Sequence, residues 1–427
     1  MNFYLSNKLS PKLKMNQILK ILIYFLPVSL IVGNAVLNIN SFLIIINLLL
    51  IFLFEKKLFT EYKNIVFIFI AVFFLILINV LFSSYSVISL ISSMGILRYF
   101  FVMLAVLYCL EKDKDFFIKF TKYLFFILLF VSLDTLLQYF IGKDIFGIEN
   151  TSSHGQRLNG PFGNEYVVGS YLSKLFFISL IYLILKNKSF GLIFVYLIFI
   201  LSITLLTKER IASLMLIITC SLYLIFTLKI NFKKKFIFGL IFFISFNSLI
   251  YFNKSIKDHL ILRSLEQVGI NFEADNNHDK RVFFDSRWGA HFLTAYYIFK
   301  DNILIGSGIK TFRYECGKEQ YEAINSLNKD SRCNTHPHNI YLELLSETGI
   351  LIFVSFCIIN LFFLYRLFLN IYKNKTDDIS LIILCSFLML FQPIQTTGAF
   401  FSTWNGFYYW LVYAFVAYEF RRSKRLK

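Results

Sequence analysis

The feature that most constrains this chain is a succession of twelve apolar runs, each close to the roughly 20 residues that a helix needs to cross a hydrocarbon layer. They lie at about 17–33, 36–54, 64–82, 88–110, 116–140, 166–185, 190–206, 209–228, 236–252, 338–371, 379–399 and 404–420. The connections between them alternate in charge. One set carries Lys8, Lys12, Lys14 and Lys20, then Lys56, Lys57 and Lys63, then Lys112, Lys114, Lys119 and Lys122, then Lys186 and Lys188. It continues with Lys229, Lys233, Lys234 and Lys235, with Arg366, Lys373 and Lys375, and with the tail Arg421, Arg422, Lys424, Arg425 and Lys427. These connections hold more than half of the 43 lysines and arginines, whereas the short connections near 34, 84 and 402 hold none. Lysine and arginine collect on the cytoplasmic side of a membrane, so both termini are expected there, and the even number of runs agrees. With 57% hydrophobic and only 16% charged residues, against about 25% charged in soluble domains, the expected fold class is an all-α integral membrane protein of about 12 transmembrane helices.

The net charge of +17 would point to nucleic acid in a soluble protein. Here the topology-setting lysines account for it, and no basic stretch interleaves with aromatics outside the apolar runs, so nucleic acid is excluded as a partner. No small-residue cleavage site follows the first apolar run, so that helix is expected to be retained and not removed as a signal. The organisation is one membrane domain with one insertion. Residues 1–252 are expected to form the first nine spanning helices, 253–337 a large loop on the non-cytoplasmic side, and 338–427 the last three helices with the basic cytoplasmic tail. No internal repeat is evident.

Basic residues that topology does not explain are candidates for chemistry. Arg157 sits in RLNGPFGNE, where Gly155, Gly160 and Gly163 allow tight turns and close approach to a ligand. Arg210 sits in LLTKERIASL at the outer end of a membrane helix, and Arg287 in DSRWGAHF, where Trp288 and Phe292 suit an interfacial amphipathic helix. A guanidinium offers a planar fork that fits phosphate oxygens in pairs. Three arginines on separate outer segments can converge on an anionic group such as a pyrophosphate; each alone can equally be an interfacial anchor.

The second set of candidates lies in RCNTHPHNIYLELLSETG, residues 332–349. If a helix begins near His338, then Asn339, Glu343 and Glu347 follow at i+4 spacing on one face. That polar stripe runs about 12 Å at 1.5 Å per residue and enters the membrane, where polar groups are expensive and mark function by default. A neutral imidazole beside carboxylates is a plausible general base. The competing reading is a polar packing seam, with Glu343 or Glu347 paired to a buried base such as Arg98 or Lys174, and His336 as second shell or cap. A metal on His336-x-His338 would need further ligands at set spacing; Cys333 is near, but neither HExxH nor CxxC occurs, so no metal is expected. Cys109, Cys220, Cys357 and Cys385 lie in apolar runs as small fillers. Cys316 and Cys333 share the outer loop, where a disulfide is reasonable in an oxidising compartment.

Three signatures recur in order: RLNGPFGNE, TKERIAS, and the stretch from SRWGAHFLTAYYIFKDNILIGSGIKTF to HPHNIYLELLSETG. Together they resemble the O-antigen ligase/polymerase superfamily of bacterial membrane glycan transferases. The resemblance covers most of the chain and is strongest over 284–350. It implies a GT-C-type transferase fold in the inner membrane with its active site at the periplasmic face. It also implies transfer of a glycan from undecaprenyl pyrophosphate, with no cofactor and no metal. The acceptor would be lipid A–core oligosaccharide in a ligase, or another carrier-linked repeat unit in a polymerase. By the same resemblance His338 deprotonates the acceptor hydroxyl, and Arg210 and Arg287 bind the pyrophosphate leaving group. The chain departs from the pattern at Asn164-Glu165, where Asn-Pro-Asn is common, and at Lys208-Glu209, where a serine usually precedes the arginine. These changes bear on Arg157 and on the pose of Arg210. Two other classes compete: a transporter of an anionic solute, which would place charge near the midplane on broken helices in paired halves, and an inert membrane partner of a glycan-assembly complex.

Overall fold

Long apolar segments that shed their backbone polarity into helical hydrogen bonds build the protein. The computed structural model describes residues 11–55, 57–149, 157–267, 283–326, 328–373, 378–393 and 398–425. Gly155 and the topology-setting Lys8, Lys56, Lys375 and Lys427 fall outside them. The long helices are α1 (Pro11–Val32), α2 (Asn34–Phe54), α3 (Lys57–Phe82), α4 (Ser86–Lys112), α5 (Lys114–Ile141), α6 (Val168–Leu185), α7 (Phe190–Leu206), α8 (Arg210–Phe226) and α9 (Phe232–Phe252). After the insertion helix α10 (Arg287–Asp301) come α11 (Ile340–Lys373), α12 (Ile379–Phe391) and α13 (Thr403–Arg425). Among the described residues there are no strands, only an isolated bridge between Lys143 and Glu149.

Each of the twelve predicted runs overlaps a helix among the described residues. Among the described residues, eight helices are long and apolar enough to cross a membrane: α1 to α6, α9 and α11. The number twelve does not follow from the helices themselves. α7 and α8 have 17 residues and α12 only 13, short of the ~30 Å that a hydrocarbon core spans. The predicted run 379–399 breaks early because Gln392 is already extended and Pro393 follows. The last run, α13, is rich in tryptophan and tyrosine.

Local sequence sets several helix starts. Asp113 accepts from the Asp115 amide at 2.9 Å to cap α5, and Asn231 accepts from Lys234 at 3.1 Å to cap α9. Helix α6 is the hub, buried all round and packed on α5, α7, α8 and α12. Helix α9 stands at the periphery with only Phe242 and Ile250 fully buried, as a lipid-facing helix would. The insertion has a small core of its own, Ala295, Ile298, Phe312, Cys316 and Tyr321, seated on Leu342 of α11.

Candidate functional site

Helix α11 is broken. Gly349 takes φ +70° and ψ −178°, a conformation open essentially only to glycine. The carbonyls freed at the break are taken up by the loop before it: Ser307 N donates to Ser346 O at 3.0 Å and Gly308 N to Glu347 O at 2.8 Å. On the far side, Ile350 N donates to Ile303 O at 2.8 Å. Helices α3 and α4 hold the same loop from beneath. Asn79 Nδ2 donates to the carbonyls of Ile305, at 2.5 Å, and Glu347, at 2.9 Å; Ser83 Oγ donates to Ser307 O at 2.6 Å, and Ser89 Oγ accepts from Ile309 N at 3.0 Å. Irregular backbone at such a depth persists because protein, not lipid, satisfies it. Gly306-Ser-Gly308 is thus the turn that docks into the helix break.

This arrangement corrects the expected role of the carboxylates. Glu347 accepts from the backbone amides of Lys310 (2.7 Å) and Phe312 (3.1 Å), and Glu343 from that of Phe400 (2.7 Å). They pin two loops to α11, and the basic side chain whose charge acts on both is Lys310, not Arg98 or Lys174. Arg98 bonds Asn38, Tyr99 and Thr403, and Lys174 bonds Asn405 at 2.6 Å. Nor does His338 open the helix. It stands two residues before α11 in the left-handed region, φ +59°. Asn339 is the capping residue: its Oδ1 accepts from Tyr341 N at 2.9 Å and Leu342 N at 3.1 Å, while its Nδ2 donates to Pro393 O at 2.9 Å. Off the helix, His338 does not share the i+4 face of Glu343 and Glu347.

It joins a different group. Its ring lies 4.6 Å from Trp288, edge to face, 5.3 Å from His291, stacked, and 4.2 Å from His336. His338 Nε2 is 3.0 Å from Asn334 Nδ2. Asn334 Oδ1 is engaged by the Thr335 amide at 2.7 Å, which leaves the amide NH2 to face His338; the tautomer follows from this network, with Nε2 the acceptor and Nδ1 protonated. His336 Nδ1 meets Thr335 Oγ1 at 2.9 Å. Burial, then His336, His291 and Arg287, push the His338 imidazolium down to a pKa of about 3. Burial and then Arg287 lower His291 to about 4. Both rings are neutral at neutral pH. Arg287 and His291 sit one turn apart on α10, whose start Ser286 caps by accepting from Gly289 N at 3.1 Å.

The other two predicted arginines form a second group. Gln138 at the end of α5 shapes RLNGPFGNE: its Oε1 accepts from the amides of Asn159 (3.1 Å) and Gly160 (2.9 Å), and its Nε2 donates to Asn159 Oδ1 at 2.6 Å. Gly160 has φ +47°, and a Cβ there would meet Thr135 Oγ1 at 2.7 Å. Arg157, held by a bond from Nη2 to Tyr166 O at 2.9 Å, acts electrostatically on Arg210. The unusual Lys208-Glu209 pair has work to do. Glu209 is buried and accepts from Gly169 N (2.6 Å) and Ser170 N (3.0 Å), capping α6 from the start of α8. Burial raises this carboxyl, while Arg157 and the two amides oppose the rise. Lys208, at φ +59°, reaches Ser255 Oγ at 2.7 Å. The charge of Arg157 thus acts on Arg210, and that of Arg287 on His338.

Sequence reading missed His291, Lys208, His259 and Arg263. His291 was legible as the i+4 partner of Arg287. His259 and Arg263 lie in KSIKDHLILR, a basic run at the end of a membrane helix opposite the lysine-rich connections. No group of histidine, cysteine and carboxylate side chains suited to a metal occurs among the described residues.

Cys316 and Cys333 are joined in a disulfide with Cα atoms 5.3 Å apart, and Arg332 Nε donates to Cys316 O at 3.0 Å. The bridge closes a loop of 17 residues beside the His336–His338 segment. Chain entropy puts its contribution at about 3 kcal/mol. Cys316→Ser is expected to lower protection of amides over 284–340 by about that much in hydrogen exchange, with the membrane helices unchanged.

Acid should weaken the same region. His291 and His338 titrate near 6.5 when unfolded but near 4 and 3 when folded. Below pH 6.5 the unfolded chain binds more protons, so stability falls as pH drops from about 6.5 towards 4. The melting temperature in detergent should decrease between pH 7 and pH 5, and less so in His291→Phe, which keeps the stacked ring and removes one titrating group.

Compared with known proteins, residues 175–357 match the family model described as O-antigen ligase. The match takes in the α8 start, the α10 segment and the His336–Gly349 run, and begins downstream of Arg157. No curated protein matches the chain.

Proposed function

We propose, with the O-antigen ligase match over residues 175–357 as the premise, that this chain is a ligase-type glycan transferase. It crosses the inner membrane twelve times in a GT-C-type arrangement with both termini cytoplasmic and residues 253–337 periplasmic. The donor is a glycan on undecaprenyl pyrophosphate and the acceptor a lipid A–core sugar. The observation that supports this reading is the group around His338, with Trp288 at 4.6 Å and His291 at 5.3 Å on the helix that carries Arg287, together with Arg157 and Arg210 on two further segments.

His338 Nε2 takes the proton of the acceptor hydroxyl as that oxygen bonds to the anomeric carbon. The bond from that carbon to the diphosphate oxygen breaks, and the electron pair leaves with the diphosphate. Arg210, Arg157 and Arg287 stabilise the charge that develops there. A pKa near 3 describes the ring before substrate arrives. A bound diphosphate opposes the field of Arg287 and raises the basicity of His338 when it is needed. The acceptor hydroxyl takes the place of Asn334 at Nε2. One displacement inverts the anomeric centre.

Reconstitution tests this. Purified protein in liposomes, given carrier-linked glycan and lipid A–core, should yield glycan joined to the core. Lengthening of the carrier-linked chain instead would make it a polymerase. Absence of both reactions, with counterflow of a labelled anionic solute, would overturn the transferase reading.

A further inference from the structure

The segment after α9, residues 253–263, is tied to the turn between α7 and α8 and to the end of α5. Lys208 Nζ donates to Ser255 Oγ at 2.7 Å, Arg210 Nη1 to the Arg263 carbonyl at 3.3 Å, and Asn253 Nδ2 to Tyr139 Oη at 3.2 Å. Ile256 is buried beneath it and anchors the turn, whose Asn253 Oδ1 accepts from Ile256 N at 3.1 Å. The segment brings two basic side chains to the arginine pair: His259, half-buried, and Arg263, exposed. Arg210 feels the charges of both Arg157 and Arg263. His259 feels those of Arg210, Arg263, Arg157 and Lys208.

We propose that segment 253–263 completes the donor's diphosphate pocket, with Arg263, His259 and Lys208 contacting the diphosphate alongside Arg157 and Arg210. This rests on the transferase reading and names residues that the sequence signatures do not contain. The physical reason is repulsion. Bringing like charges together in a half-buried place is costly until an anion of matching charge arrives. A diphosphate has oxygens enough for two arginine forks and a lysine at once. His259 adds a variable charge. Burial first, then Arg210, Arg263, Arg157 and Lys208, hold it down to a pKa of about 4; the carboxylates to set against these cations are Asp258, next to it in the chain, and Glu209, on which Arg157 acts. A bound diphosphate raises that pKa, so binding takes up a proton and is favoured as pH falls.

Farnesyl diphosphate binding to the purified full-length protein in detergent, followed by calorimetry at pH 6 and pH 8, tests the proposal. Arg263→Gln is expected to weaken binding at least fivefold, and Arg263→Lys to retain most of it. His259→Gln is expected to flatten the gain in affinity from pH 8 to pH 6. Should Arg263→Gln and His259→Gln both bind within twofold of wild type at both pH values while Arg210→Gln loses binding, segment 253–263 is not part of the pocket and the donor site stands without it. If Arg210→Gln also binds normally, the donor site itself is misplaced. Should Arg263→Gln fail to fold, the lysine variant and His259→Gln carry the test.

Discussion

Replacing His338 by alanine is expected to reduce glycan transfer by about 10²–10⁴-fold, the range over which a positioned general base acts. The ring has no structural task of comparable weight. It lies outside α11, which Asn339 caps, and it is half-exposed. The variant should therefore insert, melt close to wild type, and still bind the donor. His336→Ala serves as the comparison: His336 bonds Thr335 and packs at a tilt against His338, so its loss should cost far less. Transfer by His338→Ala within threefold of wild type would remove the residue from the mechanism. Lost transfer with lost donor binding would move His338 to the binding machinery.

The second large effect is on folding. Gly349→Ala should destabilise the protein by about 3 kcal/mol or more, the sum of the ~1–3 kcal/mol that a non-glycine residue pays in this backbone region and a packing conflict of similar size. A Cβ at Gly349 would stand 2.6 Å from Gly306 N and from the backbone of Ile305. These are main-chain atoms fixed by bonds to Asn79, Ser346 and Glu347, so nothing flexible can yield. Gly306→Ala meets the same wall from the other side, with Gly349 N at 2.4 Å. Gly95 in α4 is the control, because a Cβ there touches nothing within 4 Å; Gly95→Ala should be neutral or slightly stabilising. Melting curves in detergent and the monodisperse fraction on size exclusion would show the difference. A Gly349→Ala protein that melts with wild type would mean the clamp between loop and broken helix is not built as described.

Most of the helical frame was legible in the sequence because it rests on local periodicity and length. A run such as 88–110 has one way to bury its backbone, and helix α4 covers it. Boundaries erred where a single residue decides. α12 stops at Phe391 ahead of Pro393, and α11 starts at Ile340 because Asn339 caps and His338 adopts a left-handed conformation. The residue types of the site were legible too. Arginine forks, a histidine and two carboxylates in a membrane helix are costly enough to need a reason. Their partners were not. Glu343 and Glu347 sit one turn apart on the expected face, yet they serve the amides of Phe400, Lys310 and Phe312. No helical period encodes a bond to residues 57, 37 and 35 positions away.

What the sequence by itself determined is a chain of long apolar helices, three segments that resemble those of a glycan-transferase superfamily, and the residue types that carry charge. These follow from the cost of exposing backbone and charge to lipid, which every local stretch pays on its own. Only the tertiary structure decided the grouping. It set His338 with Trp288, His291, His336 and Arg287, and Arg210 with Arg157, Lys208, His259 and Arg263. The reason is that α11 breaks at Gly349 to admit a distant loop, and the segment after α9 folds back over the α7–α8 turn. Both are long-range packing events, settled by which backbone groups find partners once the helices have assembled.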